Sequence, residues 1–493
     1  MSKQLINGKV IAHVVGSLII INGILMTLSI PFSLYYNDGQ HTAFLIACSI
    51  TLFVGLFLRF NTIANKNDEI KKREGFLIVT LGWLSLALFG CLPYLISGAI
   101  PSIHNAFFET MSGYTTTGAS ILGSVGSKIS DMPESILFWR SMTHWIGGMG
   151  IIVLTIAILP LLGIGGMELF VAEAPGPTKD KIHPRIKETA KRLWIIYLAL
   201  TIIQTILLMI FNMTFFDAIN HAFATVSTGG FSTRDGSVGE FNSPAIEYII
   251  ILFMFISGTN FTLIYFALKR KFFRIWENDE FKWYGLALLS LTALLVPIVY
   301  FTSNATEIEP TIRTVLFQLT SIMTTTGFAT ADFLLWGPLV SFIFFLLLFS
   351  GASAGSTSGG IKIVRVVILL KNTLMEFKRR LHPKAVIPLH LNKQPVSNTI
   401  IYNLMAFIFL YLFVFTIGSV VLTALGVPFD EAISGVATSL GNVGPGLGAL
   451  GPMGNFSIIP DAAKWVLSFL MLMGRLELFT VILILSPYFW RRN

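Results

Sequence analysis

Thr115-Thr116-Thr117-Gly118-Ala119-Ser120, Ser227-Thr228-Gly229-Gly230-Phe231-Ser232, Thr324-Thr325-Thr326-Gly327-Phe328-Ala329 and Gly441-Asn442-Val443-Gly444-Pro445 are four versions of one phrase. Each follows a short semi-apolar stretch, containing in turn Asn105 to Glu109, Asp217 to His221, Thr314 to Gln318 and Glu431 to Thr438, and each lies between one long apolar run and the next. A single Thr-Thr-Gly is an ordinary loop signal, because small and hydroxyl residues favour turns. Four copies in register, all on the same side of paired apolar runs, predict a repeated unit: a helix, a short half-buried helix, an extended glycine-bearing segment and a second helix.

Working outward, the apolar runs set the fold class. Residues 11–36, 42–58, 76–98, 136–162, 193–216, 246–268, 284–301, 338–370, 399–425 and 465–489 are apolar enough to cross a bilayer, whose core takes roughly 20 such residues per helix. Of the 493 residues, 54% are hydrophobic and only 12% charged, against about 25% charged in ordinary soluble domains. The expectation is an all-α polytopic membrane protein of about ten transmembrane helices. Four of the outward loops carry the repeated unit of helix, short helix, extended segment and helix within this one chain. The divisions fall at 1–70 (two N-terminal helices), 71–185, 186–278, 279–392 and 393–493. Cys48 and Cys91, both in apolar runs, exclude a disulfide framework and a cysteine-based zinc site. The first run follows Lys3 and Lys9 and is too long for a secretory signal core of about 7–15 residues, so it reads as a retained anchor.

Charge orients the chain. Only Lys128, Arg140, Arg234, Arg313, Lys464 and Arg475 of the 34 basic residues fall outside the N-terminus, the even-numbered loops and the C-terminus. Lys71-Lys72-Arg73, the basic residues from Lys179 to Arg192, Lys269-Arg270-Lys271, Lys378-Arg379-Arg380 and Arg491-Arg492 therefore mark the cytoplasmic side, with both termini there. The net charge of +8 follows from topology and lipid headgroup contact, and no nucleic-acid partner is needed to explain it.

Irregular backbone at membrane depth is tolerated only where it is buried in protein or lines a water-filled path. Four glycine-bearing segments around one axis would set rings of backbone carbonyls about a hole, and such rings replace the hydration shell of a monovalent cation. The preceding short helices would aim C-terminal ends, each worth roughly half a negative charge, at the cavity beneath. Ser350 to Gly360 interrupt the eighth run with eleven residues lacking a large side chain, which argues against a continuous helix; close helix packing through small residues is the alternative. Gly355 and Gly360 have the spacing of a phosphate loop, but Ile361 stands where lysine is required. Arg475 lies inside the last run, where a charge costs about 2.5–3.5 kcal/mol on insertion scales. Either it faces the pore and limits flow when the gate is shut, or it forms a structural pair with Glu477 or Glu109. Glu109, His221 and Gln318 occupy matching places in three repeats and either tune cation entry or anchor the pore helices. Lys362 and Arg365 read as positive-inside anchors.

Met111-Ser112-Gly113-Tyr114-Thr115-Thr116-Thr117-Gly118-Ala119, Trp145-Ile146-Gly147-Gly148-Met149-Gly150-Ile151, Ile164-Gly165-Gly166-Met167, Gly355-Ser356-Thr357-Ser358-Gly359-Gly360-Ile361-Lys362 and Gly444-Pro445-Gly446-Leu447-Gly448 resemble the Trk/Ktr/HKT superfamily of potassium transporters, and most of all its bacterial TrkH branch. The resemblance covers nearly the whole chain. It implies that the four helix, pore helix, helix repeats form a single-chain pseudotetramer, and that this takes up potassium, with K⁺ as the transported ion, across a bacterial inner membrane. It also implies a homodimer and a cytosolic, nucleotide-binding regulatory ring of the TrkA type, so that no bound nucleotide is expected in this chain. By the same resemblance the filter strands are 116–119, 228–231, 325–328 and 442–445. Ion contacts are expected from Thr116, Thr117, Gly118, Thr228, Gly229, Gly230, Thr325, Thr326, Gly327, Asn442, Val443 and Gly444. A glycine at each of 118, 230, 327 and 444 is the potassium-permissive pattern, and a serine at the first of them would favour sodium. Residues 351–360, with Gly351, Gly355, Gly359 and Gly360, correspond to an intramembrane gate, and Arg475 is expected to act with it. Strands two and four depart from strict fourfold symmetry, leaving sodium or mixed-cation transport, or uptake coupled to H⁺ or Na⁺, as alternatives. An intramembrane enzyme is a remote rival, because the eight histidines form no His-Glu-x-x-His motif; a scaffold or receptor is another.

Overall fold

The computed structural model describes residues 6–62, 71–123, 126–158, 186–303, 306–385 and 387–491. Two N-terminal helices, Gly8–Met26 and His41–Asn61, cross where Gly16 and Gly55 face each other; a Cβ on Gly16 would lie 2.9 Å from the Gly55 carbonyl oxygen. Small residues allow this approach, as between helices packed in lipid. The pair is fastened to the rest by Asn22, whose side-chain oxygen accepts the Tyr114 hydroxyl at 2.5 Å.

Behind them the chain repeats one plan four times. A long helix (Lys72–Gly90, Ile186–Ile210, Asp279–Thr302, Asn398–Ala424) leads to a shorter buried one (Ile103–Tyr114, Phe215–Val226, Ile308–Met323, Phe429–Gly441). An extended segment follows, and then a second helix (Glu134–Ile158, Pro244–Ser257, Pro338–Leu347, Asp461–Arg475). Each second helix meets the pore helix of the following repeat. Phe138 lies 5.8 Å from Phe223, Arg313 reaches Glu247 at 3.0 Å, the Leu348 carbonyl backs onto Gly441, and Lys464 donates to Asn105 Oδ1 at 2.8 Å, which closes the circle. Ile203, Ile206, Leu289, Leu294, Phe409 and Val420 stand exposed on the outer helices, as a lipid-facing surface requires.

Among the described residues, six helical stretches are long and apolar enough to span a membrane, and eight if two bent pairs each count as one span. The runs at 246–268 and 465–489, expected as unbroken spans, are these pairs: Pro244–Ser257 and Phe261–Leu268 meet at 106°, and Asp461–Arg475 and Phe479–Leu485 at 116°. The eighth run divides into Pro338–Leu347 and Ile363–Leu381. The fourth reaches only residue 158 within the described residues, and Gly150 inside it is non-helical (φ 63°, ψ −178°). The second helix of every repeat is therefore interrupted. The motif at 164–167 and the basic residues from Lys179 to residue 185 lie outside the described residues. Cys48 and Cys91 are free and buried.

Candidate functional site: a four-strand ring and the loop beneath it

The four glycine-bearing segments share one backbone conformation. Thr116, Thr228, Thr325 and Asn442 adopt left-handed φ of 51–57°, and Gly118, Gly230, Gly327 and Gly444 follow two residues later at 78–111°. The residue between them donates its amide to the pore helix five residues back: Thr117 to Ser112, Gly229 to Ala224, Thr326 to Ser321 and Val443 to Thr438, at 2.7–3.0 Å. This alternation, which turns successive carbonyls to one side, has a steric requirement as well as a conformational one. A Cβ on Gly118 would lie 2.1 Å from the Gly229 carbonyl oxygen, on Gly230 1.8 Å from that of Thr326, on Gly327 2.2 Å from that of Val443, and on Gly444 2.8 Å from that of Thr117. The contacts run one to two, two to three, three to four and four to one. Four carbonyls, from Thr117, Gly229, Thr326 and Val443, thus form a closed ring, a donor set suited to a monovalent cation stripped of water.

Side chains behind the strands break the fourfold symmetry. Thr117 and Thr326 hydrogen-bond the hydroxyls of Thr115 and Thr324 at 2.8 and 2.7 Å. Asn442 donates to Thr117 Oγ1 and to the Met471 carbonyl, both at 2.9 Å. The second strand has no side chain at Gly229.

Glu109, His221 and Gln318 anchor the segments that leave the ring. Glu109 accepts from the Ser120 hydroxyl (2.8 Å) and the Ile121 amide (2.9 Å), His221 Nε2 hydrogen-bonds Ser232 Oγ (2.9 Å), and Gln318 donates to the Ala331 carbonyl (2.7 Å). Repeat four has Gly435 in that register, and the neighbouring Ser434 hydroxyl accepts the Leu447 amide instead at 2.9 Å. Glu109 also binds Arg140 Nε at 2.6 Å, and both side chains are essentially inaccessible (0% and 2% exposed). Arg140 goes on to the Ser232 carbonyl and Ser120 Oγ, both at 2.9 Å, and lies 3.6 Å from the centroid of the Phe231 ring. Its sequence position among outer-side residues gave no sign of this role; only folding brings it behind two strands at once.

Beneath the ring, residues 351–360 form a loop closed at its neck. Gly351 N donates to the Ile361 carbonyl (2.9 Å) and Ile361 N to that of Phe349 (3.0 Å). The loop is pinned to its surroundings at several points. Gly359 N donates to Thr325 Oγ1 at 2.7 Å, Thr357 Oγ1 to the Val226 carbonyl at 3.1 Å, and Ser353 N to the Gly258 carbonyl at 3.0 Å. Gly359 has no room for a side chain, since a Cβ would meet the Gly441 carbonyl oxygen at 2.4 Å. Arg475 joins the loop to the first repeat: Nη1 donates to the Thr357 carbonyl at 2.9 Å, and Nη2 to the carbonyls of Gly147 and, at 3.1 Å, Gly148. Gly147 and Gly148 serve a second purpose, because Cβ atoms there would meet the Tyr114 carbonyl and Ser227. The pairings expected of Arg475 as a structural alternative are made by other cations: Glu109 by Arg140 and Glu477 by Arg365. Lys362, expected as a topology anchor, donates to the Ser358 and Gly359 carbonyls of the loop.

The sequence-predicted residues are thereby brought into two adjoining layers. Thr116, Thr117, Gly118, Thr228, Gly229, Gly230, Thr325, Thr326, Gly327, Asn442, Val443 and Gly444 form the ring, and Gly351, Gly355, Gly359, Gly360 and Arg475 lie in or against the loop. The breaks in the second helices gather around the loop: Gly258 takes the Ser353 amide, Gly355 O accepts the Phe261 amide at 3.0 Å, and Arg475 ends its own helix.

Comparison with known proteins agrees with this fold. A sequence model of the TrkH family, described as a cation transport protein, matches residues 40–491. The chain is 40% identical to the Trk system potassium uptake protein TrkH of Escherichia coli strain K12, over 98% of this chain and 99% of that protein. It is 41% identical to the protein of the same name from Vibrio parahaemolyticus, with the same coverage, and 33% identical to the E. coli Trk system potassium uptake protein TrkG. The crystal structure of the potassium transporter TrkH from Vibrio parahaemolyticus aligns with a TM-score of 0.88 at 38% identity, covering 98% of this chain and all of that one.

Proposed function

The chain belongs to the TrkH family of cation transport proteins, and from that membership we propose that it takes up potassium through the ring of Thr117, Gly229, Thr326 and Val443 carbonyls, with residues 351–360 as its gate. It is a transporter and not an enzyme. The observation that carries the assignment is the closed circuit of glycine-to-carbonyl contacts, which leaves no position in the ring free to accept a side chain. A potassium ion would exchange its water for these oxygens, aided by four pore-helix C-termini. Membrane potential supplies the drive, since one charge crossing 100 mV is worth about 2.3 kcal/mol. Replacing Gly118 by serine would place a Cβ 2.1 Å from the Gly229 oxygen. Gly118→Ser is expected to abolish discrimination between K⁺ and Na⁺ in competition against ⁸⁶Rb⁺ uptake by liposomes; retained discrimination would remove the first strand from the filter.

Arg475 and Thr325 hold the gate shut in this reading. Hydrogen bonds to a charged donor are worth about 1.5–3 kcal/mol each, and a differential of only ~1.4 kcal/mol changes an equilibrium tenfold. Arg475→Ala is therefore expected to raise basal ⁸⁶Rb⁺ uptake about tenfold or more. Thr325→Val, which removes the acceptor of the Gly359 amide, should raise it by a smaller factor. Unchanged basal uptake in both variants would take the clamp away from these residues.

The relatives are named as members of a Trk system, which fits a transporter worked together with regulatory partners. A cytosolic nucleotide-binding ring of the TrkA type and a second copy of this chain are the partners proposed here. The distribution of lysine and arginine supports an inner-membrane orientation with both termini cytoplasmic. The divisions at 71–185, 186–278, 279–392 and 393–493 serve as the four repeats of the pore.

A further inference from the structure

The second filter strand is held differently from the others. In strands one and three a threonine just before the filter glycine, Thr117 or Thr326, locks its hydroxyl onto the end of its own pore helix. In strand two that place is Gly229, and Ser227 turns its hydroxyl back to the Ala224 carbonyl at 3.2 Å. The vacated space holds the imidazole of His144, from the second helix of repeat one. A Cβ on Gly229 would lie 2.4 Å from His144 Nδ1 and 2.5 Å from its Cγ. The ring is fully buried, stacks on Phe231 with centroids 3.9 Å apart and planes 17° apart, and accepts the Phe231 amide on Nδ1 at 3.4 Å. Nothing in the motif pattern marks His144, because its partner positions lie 85 and 87 residues away in the chain.

We propose that His144 is a positioning residue of the filter: its imidazole stands in for the missing threonine side chain, fixes the Gly229 carbonyl, and so helps set the preference for K⁺ over Na⁺. The proposal rests on the reading of the ring as a potassium filter. Carbonyl position decides how well a ring replaces a hydration shell, and a site is held only as firmly as the side chains packed behind it. His144 and Gly229 are then complementary. Histidine requires glycine at 229, and glycine at 229 requires a flat ring behind it.

The test is the thermal stabilisation of the purified full-length protein in detergent by KCl and by NaCl at matched ionic strength. An ion at concentration c that binds the folded state stabilises it by RT ln(1 + c/Kd) and so raises the unfolding midpoint, and the measurement does not depend on an open gate. His144→Ala is expected to lower the ratio of K⁺ to Na⁺ affinity about tenfold, or ~1.4 kcal/mol. His144→Gln keeps an acceptor for the Phe231 amide and is expected to hold the ratio within about a factor of two. Gly229→Thr alone should lose the K⁺ preference, and the double replacement His144→Ala with Gly229→Thr should recover it by giving strand two the threonine of strands one and three. A K⁺ preference in His144→Ala equal to that of the unaltered protein would overturn the proposal and leave the filter standing. So would a Gly229→Thr protein that keeps its preference. Equal stabilisation of the unaltered protein by both ions would overturn the filter reading itself. Should His144→Ala fail to fold, the Gly229→Thr protein and its double replacement decide by the same ratio.

Discussion

Gly230→Ala is expected to abolish ⁸⁶Rb⁺ uptake, to less than about a hundredth of the unaltered protein. One contribution is conformational: an alanine at φ +81° pays roughly 1–2 kcal/mol for the left-handed region. The larger one is steric, because the new Cβ would stand 1.8 Å from the Thr326 carbonyl oxygen, a backbone atom of the adjoining strand that cannot rotate aside. The ring must open between repeats two and three, and two carbonyls leave their places together. Gly39→Ala is the matched control. Its φ is +75°, yet a Cβ there would touch nothing within 4 Å, so it incurs the conformational cost without the collision. Uptake is expected to survive in Gly39→Ala and to vanish in Gly230→Ala. Similar uptake in the two would mean that the ring tolerates displacement and that the glycines serve flexibility alone.

Arg140→Ala carries the largest expected loss of stability. The Glu109 carboxylate would remain buried with its charge partner gone, and breaking a buried pair in this way costs about 3–5 kcal/mol. The same guanidinium also holds the Ser232 carbonyl, Ser120 Oγ and the face of Phe231, so the segments leaving strands one and two should loosen together. Removing both charges with apolar side chains of similar volume, Glu109→Leu with Arg140→Met, is expected to be much less harmful than Arg140→Ala alone, because no orphan charge stays behind. Chemical denaturation of the detergent-purified variants reads the difference. If the single and double replacements are equally unstable, the pair contributes through packing and not through charge.

The repeat and its ring were legible because both demands on the ring glycines, a left-handed φ and the absence of a Cβ, can be met by one residue type only, and that residue recurs at 118, 230, 327 and 444. The loop at 351–360 was legible for a similar reason, since Gly351, Gly359 and Gly360 each lie against backbone. The bends were not. At 476–478 the chain turns through Leu476, Glu477 and Leu478, with Glu477 and Leu478 at φ 58° and 45°, and apolar or charged residues give no local warning of such a turn. It is held from a distance, by the ion pair of Glu477 with Arg365. Arg140, Lys362 and His144 escaped sequence reasoning because hydropathy and charge counting assign a residue to a side of the membrane or to a core. What each of them touches is another repeat or a loop carbonyl, and only the closed circle of repeats brings those together.

The central claim, that the four-strand ring selects potassium, is tested most directly by ⁸⁶Rb⁺ uptake into liposomes holding the purified protein, with K⁺ and Na⁺ as competitors. Suppression of uptake by K⁺, with Na⁺ at the same concentration leaving it intact, is the result the ring of Thr117, Gly229, Thr326 and Val443 carbonyls predicts. Equal suppression by the two ions would contradict it.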